Sequence, residues 1–219
     1  TFDTAGWFTA NAADMRATLG TLVDLRVGAQ APRGCYLELG HLEREVAAAC
    51  RTAASRIAPA AESALREELL DGFGPALDAY HTIVAIEAWN VHRAWAQRYQ
   101  DRYDPAVWQR LNRAHSITRT QTESAEAALK SVRAVWTKYF ERHDFLVMPA
   151  SPTPAPTKAE CTPETRTRVL MLTAPASLGG YPALTIPVAL PSGLTTGLQI
   201  IARNPGSPVF PWALEKFAA

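Results

Sequence analysis

The sequence predicts an α/β fold in which helices fill the middle and strands gather at the end. Three observations carry that expectation. Between residues 75 and 142, apolar side chains recur every three or four positions, the helical period. "DFLVMPA" at 144–150 is a short continuous apolar run, the pattern of a strand buried on both faces. "ALTIPVALPSGLTTGLQIIA" at 183–202 reads as two strands around a Pro-Ser-Gly turn.

Taken in order, "TANAADMRATLGTLVDL" puts Met15, Leu19, Leu22 and Val23 on one helical face, with Thr9 or Asn11 as the cap. A break at "RVGAQAPRG" follows. From Leu37 a second helix is predicted, with Leu42, Val46, Ala49, Ala53 and Ile57 on one side. Glu38, Glu43 and Glu45 sit near its start, where the helix dipole favours them. Pro75 opens the longest periodic stretch: Leu77, Tyr80, Val84, Ala88, Val91 and Trp95 form one stripe. Asp104 and Pro105 make a strong start signal, cap followed by proline at the first helical position. The last long helix runs from about Thr118 to Arg142 through Ala125, Leu129, Val132, Trp136 and Tyr139. "SPTPAPTKAECTP" is too rich in proline to be regular and reads as an ordered loop. "TRTRVLMLTAPASLGGYP" reads as a short helix ending in a Gly-Gly turn. Three or four strands are few for so much helix, and "FLVMP" calls for parallel neighbours on both sides. The sheet reads as incomplete.

Composition narrows the function classes. The chain of 219 residues is 47% hydrophobic and 20% charged, with a net charge of +1 and no basic or acidic block. Nucleic-acid binding therefore lacks its electrostatic foundation. No apolar run is long enough to span a bilayer, and no secretory leader pattern appears at the start. The three cysteines, Cys35, Cys50 and Cys161, lack C-x-x-C spacing, which argues against a disulfide framework or zinc site. A reducing, cytoplasmic setting is the expectation, with Cys50 a small buried residue.

Candidate chemistry is sparse. None of the five histidines (His41, His81, His92, His115, His143) stands at i, i+4 from another, so each reads as a surface or hydrogen-bonded helix residue. Glu87 lies in an apolar neighbourhood but reads as a solvated or ion-paired position before a catalytic one. Trp89, Trp95, Trp108 and Trp136 read as core, whereas Trp7, after Gly6 in an irregular stretch, is placed to line a cavity. No nucleophile elbow, P-loop or dinucleotide fingerprint occurs. Thr1 invites comparison with N-terminal threonine hydrolases, whose hydroxyl and amine form nucleophile and base in one residue. "TFDTAGWFT" does not lead into the strand such an enzyme needs, so a cut edge is the preferred reading.

Three stretches, in order, resemble the amidase signature family. "FDTAGWFTANAADM" is similar to the segment that follows that family's Gly/Ser-rich signature. "DFLVMPASPTPAP" resembles its later strand and proline loop, and "TAPASLGGYPALTIPVALPSGLTTGLQIIA" its closing helix-turn and strand pair. The resemblance implies an α/β fold with a mixed sheet covered by helices. It implies a hydrolase of carboxamide or urea-like C–N bonds that uses a serine nucleophile, a bridging serine on a cis peptide and a lysine, with no metal or organic cofactor. All three catalytic residues would lie upstream of this chain, and Lys130, Lys138 and Lys158 match none of them.

Under that resemblance, residues 1–219 form the carboxy-terminal portion of one amidase domain: 1–36 after the signature, 37–143 helical, and 144–219 completing the sheet. The isolated chain is expected to be inactive. Trp7, the loop after Pro149, and Thr173, Ala174, Pro175, Ser177 and Gly179 are expected to line the substrate pocket. Ser177 stands where the family often has asparagine, and Trp7 where many members have proline. The partners implied are a small amide substrate and a missing amino-terminal half or second chain. A homodimer stays open, as does a non-catalytic, scaffold-like role in a larger assembly.

Overall fold

The computed structural model describes residues 2–25, 28 and 30–218. In chain order the elements are α1 (Ala12–Leu22), β1 (Gly34–Tyr36), α2 (Arg44–Ala54), α3 (Ser63–Phe73), α4 (Ala76–Ala96) and α5 (Pro105–Asn112). Then come α6 (Arg119–Tyr139), β2 (Phe145–Pro149), α7 (Pro163–Gly179), β3 (Ala183–Ala189), β4 (Thr195–Ala202) and α8 (Val209–Phe217). The strands form one mixed sheet in the order β1-β2-β4-β3. β1 runs parallel to β2, and β4 is antiparallel to both β2 and β3.

β2 owes its central place to composition. All five of its residues are buried, and the pleat sends Phe145 and Val147 to one face and Leu146 and Met148 to the other. The first face packs on α1, α2 and α8 through Leu19, Val46, Cys50, Val209, Ala213 and neighbours. The second packs on α3, α4, α6 and α7, with Trp136 at its centre. Trp136 is fully buried; its ring lies 4.9 Å from Phe73, 5.3 Å from Tyr181 and 5.4 Å from Phe140, centroid to centroid.

The capping signals act as expected. Asn11 Oδ1 accepts from the Asp14 N–H at 2.9 Å, and Asp104 Oδ1 accepts from Ala106 and Val107. Thr118 and Gln121 form a capping box at the start of α6.

Several expectations are corrected. β2 has one parallel and one antiparallel neighbour, because β4 arrives through a hairpin rather than a crossover. α2 starts at Arg44, not Leu37, since residues 34–36 enter the sheet and the Leu37 N–H is spent on the Val147 carbonyl. Glu38 thus lies outside the helix. α3 carries no clean stripe and is missing from the sequence-based reading; Leu69 and Phe73 are its buried residues, with Leu65 and Leu70 partly buried beside them. α7 is longer than the short helix expected, 17 residues, and Thr173–Gly179 forms its last two turns before the Gly-Gly end. Of the four helical tryptophans only Trp136 is core: Trp89 and Trp108 are half-buried and Trp95 is 47% exposed. Among the described residues no helix is long and apolar enough to cross a membrane.

Candidate functional site

The carboxyl end of β2 is where a loop, a strand and the end of a helix converge, and Gln199 ties them together. Its side chain is almost fully buried on β4, and its Nε2 donates to the Pro149 carbonyl at 3.0 Å and the Leu172 carbonyl at 2.8 Å. One amide therefore joins the end of β2 to the middle of α7. Pro175 interrupts α7's own ladder, as proline lacks the N–H that would bond Met171. Side chains from α6 hold the same stretch: Trp136 Nε1 donates to the Pro175 carbonyl at 2.8 Å and Arg133 Nε to the Leu178 carbonyl at 3.0 Å. The last two turns of α7 are thus fixed from three directions.

The helix ends in Gly179 and Gly180 for two different reasons. A Cβ on Gly179 would stand 2.5 Å from Tyr181 Cδ2 and 2.7 Å from Trp136 Cδ1. Gly180 has φ +72°, the left-handed cap conformation that glycine adopts without strain.

The structure brings Thr173, Ala174, Pro175, Ser177 and Gly179 together on α7. Ala174 and Pro175 are buried, whereas Thr173 and Ser177 are half-buried. Thr173 Oγ1 donates to the Val169 carbonyl at 3.3 Å and Ser177 Oγ to the Thr173 carbonyl at 3.2 Å. Each hydroxyl spends its proton on its own helix and keeps lone pairs for an outside donor. Trp7 is not part of this group. It packs against the core on the opposite face of the sheet, and its Nε1 is buried with no hydrogen-bond partner. The loop after Pro149 is ordered by its backbone: Ala150 N–H bonds Gly197, Ala155 N–H bonds Thr195, and the Pro152 carbonyl accepts from Glu43. Thr153 Oγ1 in that loop is also buried without a partner.

Among the described residues no serine hydroxyl is paired with a lysine; the hydroxyl–carboxylate contacts, Thr157 with Glu160 at 2.8 Å and Ser192 with Glu45 at 3.3 Å, are exposed. Lys130, Lys158 and Lys216 are exposed, and Lys138 pairs with Glu68 on the surface at 2.6 Å. No group of three or more His, Cys, Asp or Glu side chains stands where it could hold a metal ion, again among the described residues. The two buried thiols, Cys35 and Cys50, are not poised to react. Burial pushes Cys35 up, and burial with the nearby Glu38 carboxylate pushes Cys50 up to about 11. Thr1, singled out as a nucleophile, lies outside the described residues.

A cavity of about 690 Å³ lies elsewhere. Arg33, His143, Asp144, Arg203 and Ser207 line it, at the amino ends of β1 and β2. Asp144 is committed there to structure, its carboxylate accepting the Arg33 N–H at 2.7 Å. In α/β sheets ligands sit beyond the carboxyl ends of the strands, which favours the Gln199 end over this one. Sequence reasoning missed Gln199, because nothing in "TTGLQIIA" says that its one amide faces a helix carbonyl.

With this geometry in place, known proteins supply the comparison. The sequence profile of the amidase family matches residues 33–206. The chain is 40% identical over 67 residues to a glutamyl-tRNA(Gln) amidotransferase subunit from Geobacillus kaustophilus, an alignment that covers 30% of this chain and 14% of that protein. The fold superposes on a crystal structure of an amidase with a TM-score of 0.75 at 20% identity, over 95% of this chain and 51% of the other. It superposes on the urea amidolyase of K. lactis with a TM-score of 0.73 at 15% identity, over 89% of this chain and 12% of the other. The chain thus spans about half of the matched amidase and far less of the larger enzyme. A profile match across so much of the chain, with the expected strands, loop and helix inside it, makes this protein a member of the amidase family, the enzymes of the amidase signature.

Proposed function

We propose that residues 1–219 are the carboxy-terminal part of an amidase-signature hydrolase, one that cleaves a carboxamide or urea-like C–N bond. The observation that carries this reading is the family match over residues 33–206. In the proposed enzyme a serine hydroxyl attacks the carboxamide carbon while its proton passes through a bridging serine to a lysine. Backbone N–H groups hold the oxyanion, the C–N bond breaks as the amine takes a proton, and water then hydrolyses the acyl-enzyme. Those catalytic groups would stand on polypeptide other than residues 1–219, either continuous with it or in a second chain. Two facts support that division: no described lysine is buried or meets a serine, and the chain spans half of the matched amidase.

The chain's own share would be a pocket wall. The Thr173–Gly179 stretch, held by Trp136, Arg133 and Gln199, offers hydroxyl lone pairs to a substrate N–H. Trp7 enters the proposal as a separate contact, since its Nε1–H has no acceptor. No metal or organic cofactor is part of the scheme.

An ammonia-release assay on purified 1–219 with a panel of small carboxamides and ureas tests the division of labour. The expected result is background turnover, unchanged by Thr1→Ala. Turnover that survives removal of host amidase would contradict it, and its loss in Thr1→Ala would favour the N-terminal threonine reading.

A further inference from the structure

The cavity of about 690 Å³ at the amino ends of β1 and β2 is lined by more donors than acceptors. Arg33 reaches it from just before β1, His143 from the turn after α6, and Arg203, Asn204 and Ser207 from the segment between β4 and α8. Acceptors are few. Asp144 is the one anionic side chain among the described lining residues, and one of its oxygens already takes the Arg33 N–H at 2.7 Å.

Several donors are left over. Among the described residues, neither the Arg33 guanidinium nor the Asn204 side-chain amide meets a hydrogen-bond or ion-pair partner. Ser207 is only 6% exposed; its Oγ accepts the Val209 N–H at 3.3 Å, and its own proton goes to no described acceptor. A buried donor left in that state costs stability until an acceptor reaches it. Arg203 is braced rather than consumed. One terminal nitrogen donates to the Phe140 carbonyl, the guanidinium carbon stands 5.9 Å from the Phe140 ring centroid, and the rest of the planar fork stays free. His143 stacks on Tyr139 with ring centroids 4.4 Å apart and sets Nδ1 at 3.3 Å from the Tyr139 carbonyl, which leaves Nε2 uncommitted. The start of α8 adds little, because the Val209 and Phe210 N–H groups are spent on Ser207 and residue 211 is proline. Any attraction for an anion therefore comes from side chains.

Two guanidiniums against one carboxylate make the field in the cavity positive. Donors enter from three separate stretches, before β1, after β4 and before α8. That spread suits an acceptor with oxygens on several sides better than the two coplanar oxygens of a carboxylate. The volume lies within the range of about 300–1,000 Å³ common for small-molecule sites, so more than a bare anion has room. We infer that this cavity binds the phosphate group of a small molecule, held by Arg33, Arg203, Asn204 and Ser207. Nothing in the site depends on the hydrolase reading above: it lies at the other end of the sheet from Gln199 and uses none of the α7 residues.

The test is calorimetric titration of 1–219 with sodium phosphate, at an ionic strength held constant with sodium chloride. The expected result is saturable one-to-one binding that Arg33→Gln weakens about tenfold, the loss of one charge-assisted contact. Asn204→Ala should weaken it by a smaller factor. Both side chains are exposed, so neither change should move the melting temperature in phosphate-free buffer. Arg98→Gln removes the same charge from an exposed position just beyond α4 and should leave phosphate affinity unchanged. Glycerol 3-phosphate separates the sources of the group: tighter binding than inorganic phosphate supports a phosphate ester as the ligand, and equal or weaker binding supports free phosphate. Absence of saturable binding, acetate bound as tightly as phosphate, or equal weakening by Arg98→Gln and Arg33→Gln would overturn the inference.

Discussion

α4 and α6 are both 21 residues long, about 30 Å of helix each, and both announce themselves through a clean apolar stripe. Their fates differ. In α6 the predicted residues Ala125, Val132, Trp136 and Tyr139 are buried, against the sheet and three other helices. In α4 the predicted stripe is only half-covered, and its last members, Val91 and Trp95, are 63% and 47% exposed. What α4 buries instead is a set of alanines, Ala76, Ala79, Ala85 and Ala96. Periodicity reports that a helix has an apolar face. It does not report whether anything stands opposite, and along α4 the tightest contacts go to the smallest side chains.

The sharpest way to break the comparison is Trp136→Ala. With four aromatic neighbours and no exposure, the loss should be about 3–5 kcal/mol, read from urea unfolding. Gly179→Ala should follow at about 1–3 kcal/mol, because the new methyl meets the Trp136 ring and helix backbone is pinned on both sides. Gln199→Leu leaves two buried carbonyls without their shared donor and should cost about 1–3 kcal/mol by the same measurement.

On α4 the expected changes are smaller. Val91→Ser with Trp95→Ser should move the stability of 1–219 by no more than about 0.5 kcal/mol, as both positions are solvated. A loss approaching that of Trp136→Ala would mean that the two helices are not different in kind. The smallest effect belongs to His81. Burial, then the nearby Arg113 and Arg166, holds its pKa below the ordinary 6.5, with Asp78 opposing. The folded state therefore binds fewer protons than the unfolded chain, and stability falls as pH drops through 6.5 and below. His81→Gln should flatten the fall in melting temperature between pH 7.5 and 5.5; an unchanged slope would contradict the assignment.

The same contrast explains how much was legible in the sequence. Signals that depend on neighbours in the chain survived: the Asn11 and Asp104 caps, the β3–β4 hairpin and the buried run of β2. Those that depend on distant partners did not. Nothing near Leu37 says that the chain will bond Val147 rather than continue a helix. The candidate wall was visible as a stretch of residues, but not as a helix end fastened by Gln199, Trp136 and Arg133. Trp7 was grouped with that stretch by the family resemblance, while the fold sets it against the opposite face of the sheet.

The central claim is that this chain builds a wall while other polypeptide holds the nucleophile. The most direct measurement is serine-directed labelling by a fluorophosphonate, with mass spectrometry reading which polypeptide carries the adduct. Incubated alone, 1–219 should take up no label; assembled with an amino-terminal amidase half, the adduct should appear on that half alone. A stoichiometric adduct on a serine or threonine of residues 1–219 would contradict the account.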